Sequence, residues 1–167
     1  MATVYQQFTA GEAVFLATAF PQLVKNNGTN FPVMGLSFDA AADEAAFWQF
    51  IATNYGSGNL TLEIYWYADT ASTGNVIFDA QIAAITPDTD SQDIETDALA
   101  TVQSVTDSHL GTTGQRLHKA TITISNLDSL ASGDYVALRL NRDADNASDT
   151  MTGDAIVVLL RLSYSDT

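Results

Sequence analysis

The densest group of side chains that could bind a metal is an acidic segment near the end of the chain. Its four carboxylates belong to Asp143, Asp145, Asp149 and Asp154. Clustered carboxylates in loops suit Ca²⁺, but Ala147 stands where a calcium loop needs a ligand and the terminal glutamate is missing. The sequence favours an alternative in which these carboxylates bind their own loop backbone and pair with Arg142. We therefore predict no metal and no cofactor.

Other catalytic groups are scarce. The two histidines, His109 and His118, have no spaced partner ligands, whereas a cupin-type metal centre needs several converging ones. We predict that both are surface or turn residues. The chain lacks cysteine, which excludes disulfides and thiolate metal sites. It also lacks the nucleophile-elbow, Walker and dinucleotide motifs, and carboxylate pairs are expected by chance in so acidic a chain. The sequence thus predicts a protein that is not an enzyme.

The charge of the chain is strongly negative. Six Lys and Arg residues against 20 Asp and Glu residues give a formal net charge of −14. Nucleic-acid binding depends on Lys and Arg contacts with phosphates, so we predict no nucleic-acid partner. The chain has no apolar run near the roughly 20 residues of a membrane helix, and no secretory signal pattern. We expect no membrane partner and assembly in a cytoplasm.

Period-two alternation dominates the hydropathy pattern, most clearly over residues 59–68. Trp66 falls on the apolar face of this segment, which predicts core packing. Tyr65 and Tyr67 share the opposite face, where they could stack on a sugar or fill a subunit interface. The interface, or simple packing, is the favoured interpretation.

Similar patterns predict further strands at residues 31–38, 76–82, 118–125, 135–140 and 154–164. Residues 76–82 follow a turn at 72–75, which predicts a hairpin with residues 59–68. Residues 43–52 could form a helix capped by Asp43, but their aromatic and β-branched residues favour a strand. The acidic stretch 86–97 is predicted to be a loop.

These elements predict an all-β, antiparallel jelly-roll β-sandwich. We assign residues 31–167 to the jelly-roll domain and residues 1–30 to an N-terminal arm or an edge strand. The last strand is apolar on both sides near its start, which is typical of an interior strand or an oligomer contact.

Several segments in this order resemble a known family. They are Leu60-Thr61-Leu62-Glu63-Ile64-Tyr65-Trp66-Tyr67-Ala68, His118-Lys119-Ala120-Thr121-Ile122-Thr123-Ile124, Gly133-Asp134-Tyr135-Val136-Ala137-Leu138-Arg139-Leu140-Asn141-Arg142 and Asp149-Thr150. Residues 47–164 resemble the jelly-roll capsid decoration, or cement, proteins of tailed bacteriophages. Thr53 departs from the pattern, which has a proline just before the Asn-Tyr pair.

The resemblance implies a homotrimer on the outer surface of the virion that binds the major capsid protein and stabilises the shell. The proposed contact residues are Ala13, Val14, Phe15, Leu16, Tyr65 and Tyr67. Packing of residues 13–19 within their own domain is an equal alternative. An alternative function is a phage tail or fibre module that binds a receptor or carbohydrate through Tyr65 and Tyr67 or through loops at one end of the sandwich. A small metal-dependent enzyme using the Asp143 loop is a further alternative.

Overall fold

The computed structural model describes residues 2–70 and 73–167, which form an antiparallel jelly-roll β-sandwich. Ten strands within these ranges are numbered in chain order: β1 (Thr3–Thr9), β2 (Gln22–Asn26), β3 (Val33–Phe38), β4 (Glu44–Ile51), β5 (Leu60–Ala68), β6 (Asn75–Ile85), β7 (Gln103–Ser108), β8 (His118–Ile124), β9 (Tyr135–Arg142) and β10 (Ala155–Ser165). A 3₁₀ turn at Ala10–Glu12 follows β1, and the described residues contain no α-helix. The predicted fold class is confirmed.

Two sheets face each other across the core. The larger has the order β2-β3-β10-β5-β8, with β1 also paired to β10, and the smaller has the order β4-β9-β6-β7. Strand β10 pairs with β5 on one side and with β3 and then β1 on the other. The prediction of an interior last strand is therefore confirmed, and it explains why β10 begins with apolar residues on both faces.

The alternation of β5 places every second side chain in the core. Leu60, Leu62, Ile64 and Trp66 are fully buried. Each buried side chain of this size contributes about 1.5–3 kcal/mol through removal of apolar surface from water. The predicted core position of Trp66 is confirmed.

Two local predictions had different outcomes. Strand β4 replaces the possible helix at residues 43–52 and pairs with β9 along its whole length, as the strand prediction required. The predicted hairpin is wrong, because β5 pairs with β8 and β10 while β6 pairs with β7 and β9 in the opposite sheet. Alternation marks the buried face of each strand but not the sheet to which the strand belongs. Ser72 of the predicted turn lies outside the described residues.

The structure joins the segment assigned as an arm to the rest of the domain. Strand β1 pairs with β10 from Thr3 to Thr9, and Phe8 is buried in the core. Strand β2 lies at the edge of the larger sheet. Between them, Val14 exchanges two backbone hydrogen bonds with Phe47 of β4, at 2.8 and 3.0 Å. Removal of the first twenty residues would thus remove core contacts.

Candidate functional site

A groove opens at one end of the larger sheet and has a volume of about 710 Å³. Four parts of the chain supply its lining: the β2–β3 connection, the end of β5 with the turn after it, the loop before β8, and β10. The lining residues are Asn26, Gly28, Phe31, Val33, Tyr67, Asp69, Thr70, Gln115, Leu117 and Val158. The groove is therefore assembled from segments far apart in sequence.

Hydrogen bonds hold the walls of the groove in place. The Asn26 side-chain amide donates to the Tyr67 hydroxyl at 2.6 Å, which ties β2 to β5. The Gln115 side-chain amide donates to the backbone carbonyl of Asp69 at 2.5 Å, which ties the loop before β8 to the turn after β5. These cross-links preorganise the groove, because the loops need not be ordered when a ligand binds.

A tight turn between β2 and β3 presents Phe31. Gly28 has a φ of +59°, and a Cβ there would lie 2.4 Å from the Phe31 carbonyl oxygen. The position requires glycine for both its dihedral angle and its space. The turn leaves Phe31 69% exposed at the rim, although a large apolar side chain normally gains by burial.

The groove combines apolar walls with a few polar groups. Tyr67 is nearly buried in the wall, and Phe31 and Leu117 stand exposed at the rim. Asp69 is the one carboxylate among the described lining residues, and its Oδ1 accepts from the backbone amides of Thr70 and Asp154 at 2.5 and 3.1 Å. Apolar and aromatic walls with a small number of fixed polar groups are typical of small-molecule sites.

Tyr65, the predicted partner of Tyr67, belongs to a separate network on the same sheet. Its hydroxyl donates to Glu63 at 3.2 Å. Glu63 also accepts from Arg161 at 2.5 Å and from Lys119 at 2.9 Å. These hydrogen bonds from Arg161 and Lys119 lower the pKa of the Glu63 carboxyl to about 2. Tyr67 lines the groove, whereas Tyr65 is not among its described lining residues.

The two histidines lie under the loop that forms one wall of the groove. His109 and His118 are only 8% and 4% exposed, so their prediction as surface or turn residues is wrong. The His118 ring stacks on Trp66 at a centroid distance of 4.5 Å, and the His109 ring lies 4.5 Å from that of His118. The sequence places them in polar surroundings, and burial follows from the approach of β5, which the local sequence does not encode.

The predicted calcium set is divided in the structure. Asp149 is buried and binds Arg142, while Asp154 accepts from the Ser37 hydroxyl at 3.0 Å. Asp143 and Asp145 instead meet Asp43 near the surface, where one carboxylate oxygen from each lies within 4.8 Å of the others. The carboxylate of Asp43 raises the pKa of Asp145 by charge repulsion. The four predicted carboxylates therefore do not converge on one point.

Arg142 organises the acidic loop, as the alternative interpretation expected. Its side chain is fully buried and forms a two-point ion pair with Asp149, at 3.0 and 2.8 Å. The same guanidinium donates to the backbone carbonyls of Phe38, Met151 and Gly153 at 2.8–3.3 Å. A buried charge is stable only when it is paired and hydrogen-bonded in this way.

No protein-family model matches the chain, and no curated protein matches it. Solved structures do resemble it. A family 35 carbohydrate-binding module from Clostridium thermocellum has a TM-score of 0.53 and 14% identity over 95% of this chain and 97% of that one. One from Cellvibrio japonicus Abf62 has a TM-score of 0.52 and 16% identity, covering 98% and 99%. A family 36 module in complex with calcium and xylotriose has a TM-score of 0.52 and 14% identity, covering 94% and 98%.

At this level of identity the likeness concerns the fold. The neighbours are jelly-roll β-sandwiches described as carbohydrate-binding modules, and they add no support to the resemblance to capsid decoration proteins. The chain spans nearly the full length of each of the three.

A second, smaller groove of about 250 Å³ lies on the outer face of the smaller sheet. Its apolar lining includes Leu16, Phe47 and Ile94. Of the predicted contact segment, Val14, Phe15 and Leu16 are 39–61% exposed, and Ala13 is half-buried. The backbone of this segment pairs with β4 through Val14 and Phe47, as the alternative of packing within its own domain expected, while the side chains of Val14, Phe15 and Leu16 remain exposed. Among the described residues, no helix is long and apolar enough to cross a membrane.

Sequence reasoning identified Tyr67 but missed the other groove residues. Asn26 and Gln115 stand in polar segments without a motif, and Phe31 begins a predicted strand. One signal was available: Asn27-Gly28 is a turn dipeptide shortly before an aromatic residue that the strand pattern leaves outside the core. The hydrogen bond between Asn26 and Tyr67 depends on the order of strands β2, β3, β10 and β5, which periodicity does not reveal.

Proposed function

We propose that this chain is a non-catalytic β-sandwich module that binds carbohydrate in the groove at the end of the larger sheet. The observation that carries the proposal is the combination of exposed Phe31, the Tyr67 wall and fixed polar groups in one open groove. The fold shared with carbohydrate-binding modules supports it.

Sugar rings have apolar faces and polar edges, which matches this lining. Phe31 offers an exposed aromatic face on which a pyranose can stack, and Tyr67 and Leu117 extend the apolar wall. Asn26 and Gln115 each use a side-chain amide to cross-link the walls, and their side-chain oxygens supply acceptors for hydroxyl groups. An uncharged glycan suits a groove in which Asp69 is the single carboxylate among the described lining residues.

The same lining argues for binding without hydrolysis. Hydrolysis of a glycosidic bond normally requires two carboxyl groups on opposite sides of the bond. Asp69 is alone among the described lining residues, and the backbone amides of Thr70 and Asp154 bind its Oδ1. The groove can hold an oligosaccharide but does not provide the acid and base to cleave it.

A glycan array tests the proposal, with the native chain compared with Phe31→Ala and with Phe15→Ala as the matched control. Phe15 is also exposed but packs against Phe20 away from the groove. We expect a defined set of glycans to bind the native chain and the control, and Phe31→Ala to lose most of the signal. Absence of binding by the native chain, or equal loss in both variants, would contradict the proposal.

A second candidate function is capsid decoration, in which a homotrimer binds the major capsid protein on the outer surface of a phage head. The observation that favours it is the exposed apolar surface around Val14, Phe15 and Leu16, next to the second groove. Exposed apolar patches mark protein contacts. The net charge of −14 suits a position away from packaged DNA.

This second candidate is tested by light scattering and by reconstruction of the virion. A trimer in solution and density for the chain on the outside of the head would support it, with Leu16→Asp weakening the attachment. Density inside the shell would contradict it. Density at the tail would instead favour a receptor-binding role for the same fold.

A further inference from the structure

The two buried histidines fasten the 109–117 loop through their ring nitrogens. Nε2 of His118 accepts the backbone N–H of Leu110 at 3.0 Å. Nδ1 of His109 accepts the backbone N–H of Gly111 at 3.0 Å, and the opposite nitrogen contacts the Gly114 carbonyl oxygen at 2.9 Å. Three hydrogen bonds thus link the imidazoles to the loop that supplies Gln115 and Leu117 to the groove.

This geometry requires both rings to be neutral. A ring nitrogen can accept an N–H only while it is unprotonated, so His109 must carry its hydrogen on Nε2 and donate it to Gly114. By the same argument His118 carries its hydrogen on Nδ1, because its Nε2 accepts the Leu110 N–H. A second proton on either ring would place a ring N–H opposite the backbone N–H of Leu110 or Gly111, and the hydrogen bond between them would be lost.

The surroundings also disfavour a positive charge on His118. Burial is the main cause that lowers the pKa of this imidazole, and the neighbouring His109 adds to it. Arg116 in the loop acts in the same direction through its charge. Asp107 of β7 and the backbone of Arg116 act in the opposite direction. From β5, Trp66 presents an aromatic ring and donates its own N–H to Asp107 at 2.8 Å.

We propose that His109 and His118 form an acid-sensitive latch. Uptake of a second proton by either ring releases the 109–117 loop and thereby disrupts the wall of the groove that Gln115 and Leu117 form. The release of the loop is independent of any ligand, whereas its effect on sugar binding rests on the proposed function. A module with this latch holds its ligand near neutral pH and loses it in an acidic compartment.

Amide hydrogen exchange measured by NMR tests the latch without a ligand. The amides of Leu110 and Gly111 are compared at about pH 7.5 and about pH 5, after correction for intrinsic exchange, with the β9 amides as an internal reference. We expect the loop amides to lose about tenfold or more of their protection while β9 keeps its own. Unchanged protection at Leu110 and Gly111 would overturn the proposal.

The double variant His109→Asn with His118→Gln provides a matched control. The asparagine and glutamine side-chain oxygens replace the accepting Nδ1 and Nε2 atoms but do not titrate. We expect this variant to keep the loop protected at both pH values. If it shows the native pH dependence, other groups control the loop and the latch is wrong. Should it fail to fold, ring ¹⁵N shifts of the native protein decide, since the latch requires the assigned tautomers at neutral pH.

Discussion

The acidic loop around Arg142 and the groove beside Tyr67 differ in how well the sequence indicates the availability of their side chains for a ligand. The loop concentrates four carboxylates in twelve residues of sequence, from 143 to 154, yet Asp149 and Asp154 are bound within the fold. The groove has no motif in the sequence, yet it presents exposed Phe31 and open polar groups. Buried polar groups normally find partners within the protein. A cluster of potential ligands in the sequence is therefore weaker evidence for a functional site than side chains that the fold leaves exposed.

Arg142→Ala should cause the largest loss of stability. Removal of the guanidinium takes the ion-pair partner from the buried Asp149 carboxylate and one donor from each of three carbonyl groups, which costs about 3–5 kcal/mol of unfolding free energy. Chemical denaturation measures the loss. Arg139→Ala is the control, because Arg139 bonds only to Gln81 and Asn141 among the described residues and is partly exposed. Equal losses in the two variants would contradict a special role for the acidic loop.

Acid should have the next largest effect, through the histidine beneath the groove wall. The pKa of His118 is lowered in the folded state, so the unfolded chain binds more protons once the pH falls below about 6.5. Unfolding free energy should therefore decrease from that pH downward, by at most about 1.4 kcal/mol per pH unit for this histidine. Glu63, with a pKa of about 2, loses its contribution only below about pH 4.5. Denaturation curves between about pH 7.5 and pH 5 thus exclude the contribution of Glu63, and the difference between the native chain and His118→Gln gives that of the histidine.

A smaller effect is expected when one cross-link of the groove is removed. Asn26→Ala deletes the hydrogen bond to Tyr67 and should cost about 1 kcal/mol of glycan affinity, roughly fivefold. Calorimetric titration with a glycan selected on the array measures the change. Thr61→Ala, on the same sheet but away from the groove, should leave the affinity unchanged, and a similar loss in both variants would argue against the assigned site.

The smallest effect should come from chelation of divalent ions. Asp149 and Asp154 already have protein partners, and the remaining group of Asp43, Asp143 and Asp145 lies near the surface. We expect a chelator to change the melting temperature by less than about 2 °C, since a tight structural ion would shift stability by several kcal/mol. A large decrease that calcium restores would show that the acidic loop has a metal-binding role.

The sequence predicted what depends on single strands and missed what depends on their neighbours. Alternation was enough to place Trp66 in the core, and the two-sided apolar start of β10 gave an interior strand as one of two alternatives. It could not show that β5 and β6 lie in different sheets, because both present an apolar face to the same core. For the same reason alternation could not predict that His118 is buried or that Phe31 and Tyr67 line one groove, since both depend on strand order.

Chemical-shift mapping with ¹⁵N-labelled protein is the most direct test of carbohydrate binding in the groove. The glycan bound most strongly on the array is titrated into the native chain, and the perturbed amides are located on the fold. We expect the perturbations to concentrate at residues 26–33, 67–70 and 115–117 if the glycan binds in the groove. Perturbations centred on Val14 and Leu16, on the Asp43 group, or on no part of the chain at saturating glycan would contradict it.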